Sequence, residues 1–133
     1  MDYHLQDKVA VVTGAGGAIG SEIARSLCAE GAKVAVWDIS FEAAQKTATE
    51  IDSTGGAAIG VECDVLSKEK VGRALERTVS GFATVDILIN GAGGSRPEAT
   101  TSPEQEFFDI EPEALHRVFD LNYMSAVIPS QAV

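Results

Sequence analysis

The 133-residue sequence predicts an α/β fold, a doubly wound parallel sheet with helices on both faces. Three observations carry that prediction. Short runs rich in Val, Ala and Ile alternate with segments of helical period, the βαβ order that right-handed crossovers convert into a parallel sheet. The apolar runs are nearly continuous rather than alternating, as in strands covered on both sides. Four glycines fall within TGAGGAIG at 13–20, directly after the first run.

Residues 8–13 read as the first strand, buried through Val9, Ala10, Val11 and Val12. A helix over 18–30 follows, with Ile19, Ile23, Ala24 and Leu27 on one face and Gly31 past its end. Residues 33–37 form a second buried strand, and 41–53 a second helix closed by Gly55 and Gly56. A third strand covers 57–63. Ser67 caps a helix to residue 80 whose inward positions are Val71, Leu75 and Val79, and 85–90 form a fourth strand. The stretch 91–111, about twenty residues of Gly, Ser, Pro, Thr and acids, far exceeds an ordinary connection and reads as a functional loop. Pro112 opens a last helix with Leu115, Val118, Phe119, Asn122 and Ala126 on one face, Asn122 half-buried there, and only 131–133 remain after Pro129.

Composition narrows the partners. Ten Lys and Arg against twenty Asp and Glu give a formal charge of −10, with no basic stripe, which argues against nucleic acid and anionic membranes. No apolar stretch reaches the ~20 residues of a membrane span, and the first eight residues lack a secretory pattern, pointing to a cytoplasmic location. Cys28 and Cys63 form no CxxC and read as reduced thiols. His4 and His116 have no second ligand at metal spacing, so no metal site is expected.

In a parallel sheet, ligands bind beyond the carboxyl ends of the strands, where the strand order reverses. TGAGGAIG falls at such a point, and Gly14, Gly17 and Gly20 at spacing three would let a pyrophosphate approach the start of a helix. A tight turn alone would account for the same glycines. Asp38 ends the second strand, 24 residues after Gly14, where a carboxylate accepts both hydroxyls of an adenosine ribose and repels a 2′-phosphate. With no Lys or Arg in the turn or just after Asp38, NAD is preferred over NADP. A solvated turn acid is the alternative for Asp38.

TGAGGAIG, Asp38, the Cys63-Asp64-Val65 triplet, NGAG at 90–93 and Asn122 in DLNYM occur in this order over almost the whole chain. Together they resemble the short-chain dehydrogenase/reductase family. Ala18 stands where the turn usually has its second Gly, and Gly91 replaces the second Asn of NNAG. Ala18 also permits TGxxGxxG, the form of the nucleotide-sugar epimerases, which the later motifs disfavour. The resemblance implies a Rossmann-type sheet cut after its fourth strand and following helix, residues 1–133 being one dinucleotide-binding domain incomplete at its C-terminal end. It implies cofactor contacts from Gly14, Gly16, Gly17, Ala18, Ile19 and Gly20, from Asp38 and Ile39, from Asp64 and Val65, and from Asn90, Ala92 and Gly93. A loop or helix-entry acid is the lesser alternative for Asp64, and a capping strand-end amide is an equal one for Asn90, compatible with the family role.

The resemblance implies a catalytic role for Asn122, anchoring a proton-relay water beside the family's lysine; a structural amide bonded to backbone is the equal alternative. The family's Tyr, the Lys four residues later and the upstream Ser are missing, since Tyr3 and Tyr123 are followed at that spacing by Asp7 and Val127. The expectation is the cofactor half of an NAD-dependent oxidoreductase acting on an alcohol, polyol or sugar acid, inactive as 133 residues and associating as a homodimer or homotetramer. Met124, Val127 and Ile128 are expected on an uncovered second face of the last helix. GGSRPEATT at 93–101 is similar to mannonate and fructuronate oxidoreductases, with Ser95 and Arg96 as substrate contacts, although a loop Arg is often merely solvated. A stand-alone NAD-binding or scaffolding module is the rival reading.

Overall fold

The computed structural model describes residues 3–133. Four parallel strands, β1 (Val9–Thr13), β2 (Lys33–Asp38), β3 (Ala57–Glu62) and β4 (Ile87–Ile89), stand in the order β3-β2-β1-β4. Between them run α1 (Ala18–Ala29), α2 (Phe41–Ser53) and α3 (Lys68–Phe82), and α4 (Pro112–Ala132) follows β4. After β3 the chain crosses to the far side of β1, so the order reverses between β1 and β4 and opens a crevice at their carboxyl ends.

Strand alternation feeds two cores. Val12, Val34 and Val36 meet Ala24, Ala44 and Ile51 on one face; Val11, Ala35 and Trp37 meet Val61, Val71 and Ala74 on the other. Small residues on α2 let it lie close to the sheet. Buried Trp37 donates its indole N–H to Thr78 Oγ1 at 2.9 Å, and Thr78 donates onward to the Ala74 carbonyl, so a polar residue sits inside α3 without an unpaired group.

Several inward faces differ from the sequence expectation. Ile19 is 80% exposed, while Gly20 and Ser21 beside it in the first turn of α1 are buried instead. The buried stripe of α3 is Val71, Ala74 and Thr78, while Val79 faces solvent, the indole of Trp37 having selected Thr78. On α4 the packed line is Ala114, Ser125 and Pro129, about one residue out of step with the expected Leu115 and Phe119, which are exposed. Asn122 is exposed rather than half-buried, and Ile128 packs against the second core. The helix continues through Pro129 to Ala132. The long loop holds two short 3-10 turns, Pro97–Ala99 and Phe107–Asp109, and a Ser102–Gln105 bridge. Among the described residues no helix is long and apolar enough to cross a membrane.

Candidate cofactor site

A cavity of about 550 Å3 opens at the carboxyl ends of β1, β2, β3 and β4, a size typical of small-molecule sites. The strand ends supply the wall: Gly14 and Gly17 after β1, Asp38 at the end of β2 and Ile39 after it, Asp64 and Val65 after β3, then Ala92 and Gly93 after β4. Ser95 and Arg96 of the long loop also line it. Gly16, Ala18, Ile19, Gly20, Asn90 and Asn122 are not in it, although several stand directly behind it.

The glycine turn is shaped by backbone demands. Gly14 has φ +65°, and a Cβ there would fall 2.9 Å from Ala92 Cα. Gly17 caps α1 with no side-chain acceptor, and no acid lies in the first helical turn, so the partial positive charge of that end is left uncompensated at the cavity. A Cβ on Gly17 would meet only the Gly14 carbonyl oxygen, at 3.4 Å. These features fit a dinucleotide, whose pyrophosphate would lie against Gly14 and Gly17 at the start of α1.

Asp38 is held by backbone. Its Oδ2 accepts from Gly16 N–H and its Oδ1 from Ser40 N–H, both at 2.9 Å. An ionised carboxylate offers about four acceptor positions, so each oxygen keeps capacity for a hydroxyl. Asp64 accepts from Leu66 N–H at 3.1 Å and closes the turn into α3. Burial, with the Asp64 charge adding to it, pushes the Cys63 thiol up to about 12. Cys63 is therefore a neutral part of the wall, and both cysteines are free thiols.

The opposite wall is hung on side chains. The Thr13 hydroxyl accepts from Gly91 N–H at 3.0 Å and Ala92 N–H at 3.1 Å. From α4, Ser125 donates to the Ala92 carbonyl at 3.0 Å, and Asn122 accepts from Gly94 N–H at 2.9 Å while donating to the Gly94 carbonyl at 2.8 Å. Asn90 donates to Ser130 Oγ at 3.0 Å. Alternate residues 90, 92 and 94 thus meet 130, 125 and 122 in turn. Asn122 is spent on backbone, its amide also donating to the Val118 carbonyl.

Sequence reasoning missed Thr13, Thr47 and Ser125. Each is a buried hydroxyl; Thr13 ends the apolar run Val9–Val12 and Ser125 stands between Met124 and Ala126, which was an available signal, whereas Thr47 follows Gln45 and Lys46 and gave none. It also missed Cys63, Leu66, Gly91 and Leu121 as wall residues. Among the described residues no group of three His, Cys, Asp or Glu could hold a metal ion.

Comparison with known proteins shows the family and the fold. Residues 8–133 match the family described as short chain dehydrogenase. An uncharacterised oxidoreductase of Haemophilus influenzae is 38% identical over 98% of the chain and 49% of its own length. The 7α-hydroxysteroid dehydrogenase of Escherichia coli strain K12 is 36% identical over 99% of the chain and 49% of its own length. Among solved structures, a proposed D-mannonate oxidoreductase from Haemophilus influenzae with bound NAD superposes with a TM-score of 0.90 at 38% identity, covering 96% of this chain and 49% of that one. The chain spans about half the length of the curated relatives it matches. By sequence and by fold, it belongs to the short-chain dehydrogenase family.

Proposed function

We propose that this chain is the cofactor-binding part of an oxidoreductase that transfers hydride between NAD and an alcohol, polyol or sugar acid. The observation that carries the reading is the Asp38 carboxylate, held at the cavity wall by Gly16 and Ser40 N–H groups. So oriented, it can accept the two ribose hydroxyls of NAD, and its charge opposes a 2′-phosphate. The pyrophosphate would lie over Gly14 and Gly17, the adenine between Asp64 and Val65, and the nicotinamide end toward Ala92 and Gly93. When bound, the cofactor accepts or donates the hydride; the chain's own residues hold it and exclude water.

The substrate end of this proposal is supported by Ser95 and Arg96, which reach the same cavity. Arg96 can pair with a sugar-acid carboxylate in bidentate fashion, and a structural neighbour is a proposed D-mannonate oxidoreductase. An alcohol does not lose its proton unaided near neutral pH, so a general base is required. On this reading residues 1–133 form one dinucleotide-binding domain, a Tyr-x-x-x-Lys pair from further sequence supplies the base, and the 133-residue stretch alone does not turn over. Self-association through α4 belongs to the same proposal, supported by the exposed Leu115, Phe119 and Tyr123.

The test is calorimetric titration of Asp38→Ala. NAD affinity should fall about 10- to 100-fold, the scale of charge-assisted hydrogen bonds, with a smaller change for NADP. Unchanged NAD affinity would remove Asp38 from the site.

A further inference from the structure

We propose that Thr47, on α2 and outside the cavity, is a positioning residue that sets the preference for a free ribose 2′-hydroxyl by holding the Ala15–Gly16 peptide. The inference rests on the cofactor reading above. Thr47 is 3% exposed, and its hydroxyl donates to the Ala15 carbonyl at 3.1 Å. The same peptide unit presents its other polar group, Gly16 N–H, to Asp38 Oδ2 at 2.9 Å. In a planar trans peptide the C=O and N–H point in opposite directions. A hydroxyl holding one therefore aims the other.

The contacts close into a ring. Asp38 Oδ1 accepts from Ser40 N–H at 2.9 Å, and Ser40 Oγ in turn accepts from Ala43 N–H at 3.2 Å, capping α2. Ala43 lies one helical turn before Thr47 and leaves no room for a side chain on the turn: a Cβ on Gly16 would come within 2.6 Å of Ala43 Cβ. Ala15 N–H, in the preceding peptide, donates to the Trp37 carbonyl at 3.1 Å and ties Ala15 to β2 next to Asp38. Thr47 thus locks the peptide, the peptide orients the carboxylate, and the cap on α2 returns to that carboxylate. Without the hydroxyl, the buried Ala15 carbonyl loses its donor and the peptide is free to rotate about its Cα–Cα axis. Gly16 N–H then leaves Asp38, whose oxygens lose the orientation that suits two hydroxyls and opposes phosphate.

Isothermal titration of the intact protein with NAD and with NADP, for the parent, Thr47→Val, Thr47→Ser and Asp38→Ala, tests this. Thr47→Val keeps the buried volume and removes the donor. NAD affinity should drop about five- to tenfold and NADP affinity by less, narrowing the ratio about fivefold; Thr47→Ser should restore the parent ratio. Equal losses for both cofactors, or no loss, would overturn the proposal, because a merely structural hydroxyl does not discriminate between them. If thermal melting shows that Thr47→Val does not fold, Thr47→Ala takes its place against Thr47→Ser under the same criterion. Asp38→Ala separates the two levels. Unchanged NAD affinity there sinks the cofactor reading, whereas weakened NAD with an unaltered ratio in Thr47→Val sinks only the role of Thr47.

Discussion

On the β2 side of the cavity, Val34, Ala35, Val36 and Trp37 are fully buried between two cores, and Asp38 simply continues a strand that nothing can shift without opening a void. On the β4 side, the strand is three residues long, pairs with β1 alone and is only partly buried. Residues 90–94 beyond it are placed by the hydroxyls of Thr13, Ser125 and Ser130 and the amide of Asn122. Apolar close packing resists displacement over its whole area. A hydrogen bond contributes only about 0.5–1.5 kcal/mol and can be exchanged one at a time. The β2 side of the cavity is therefore as rigid as the core, and the β4 side is adjustable through α4.

The largest expected effect comes from forcing the two sides apart where they touch. Gly14→Val adds a branched side chain at φ +65°, against Ala92 Cα and the Gly91 carbonyl. Strain and overlap together should cost about 3 kcal/mol or more, read as a lowered urea midpoint along with lost NAD binding. An unchanged midpoint would mean that the junction yields easily and that neither side is rigid.

A smaller change should divide the two regions. Ser125→Ala removes the donor to the Ala92 carbonyl and should cost about 1–2 kcal/mol. Amide exchange should accelerate at Gly91–Gly94 while β1 and β2 keep their protection. Equal acceleration in the strands would show that the loop and the core open as one unit.

At neutral pH the last effect is nil, and it emerges only in alkali. With the folded Cys63 thiol pushed up to about 12 from an ordinary value of 9.0, the unfolded chain releases this proton first. Stability should be independent of this thiol below about pH 9 and fall as pH rises from there toward 12. Cys63→Ser should flatten that part of the curve. In a thiol-labelling experiment near pH 8, the half-exposed Cys28 should react before Cys63. Faster labelling of Cys63 would show that the β3 end of the wall is looser than its burial implies.

The strand-forming apolar runs, the glycine turn and the place of Asp38 at the end of the second strand were legible in the sequence because they depend on local chemistry: continuous Val and Ala demand cover on both sides, and Gly14 answers a backbone angle. The caps at Ser40 and Ser67 are equally local. Other choices needed partners distant in the chain. Thr78 rather than Val79 faces inward because Trp37, 41 residues away, requires an acceptor. Asn122 is spent on Gly94, 28 residues away, rather than lying half-buried on a packed face. Ile19 is exposed although its spacing suited the core. By itself the sequence determined which segments are strands and helices and where the chain must turn, since those follow from periodicity and steric limits. Only the tertiary structure decided which face of α3 and α4 turns inward and which hydroxyls hold the cavity, because a buried polar group takes whichever partner the fold brings within hydrogen-bonding distance.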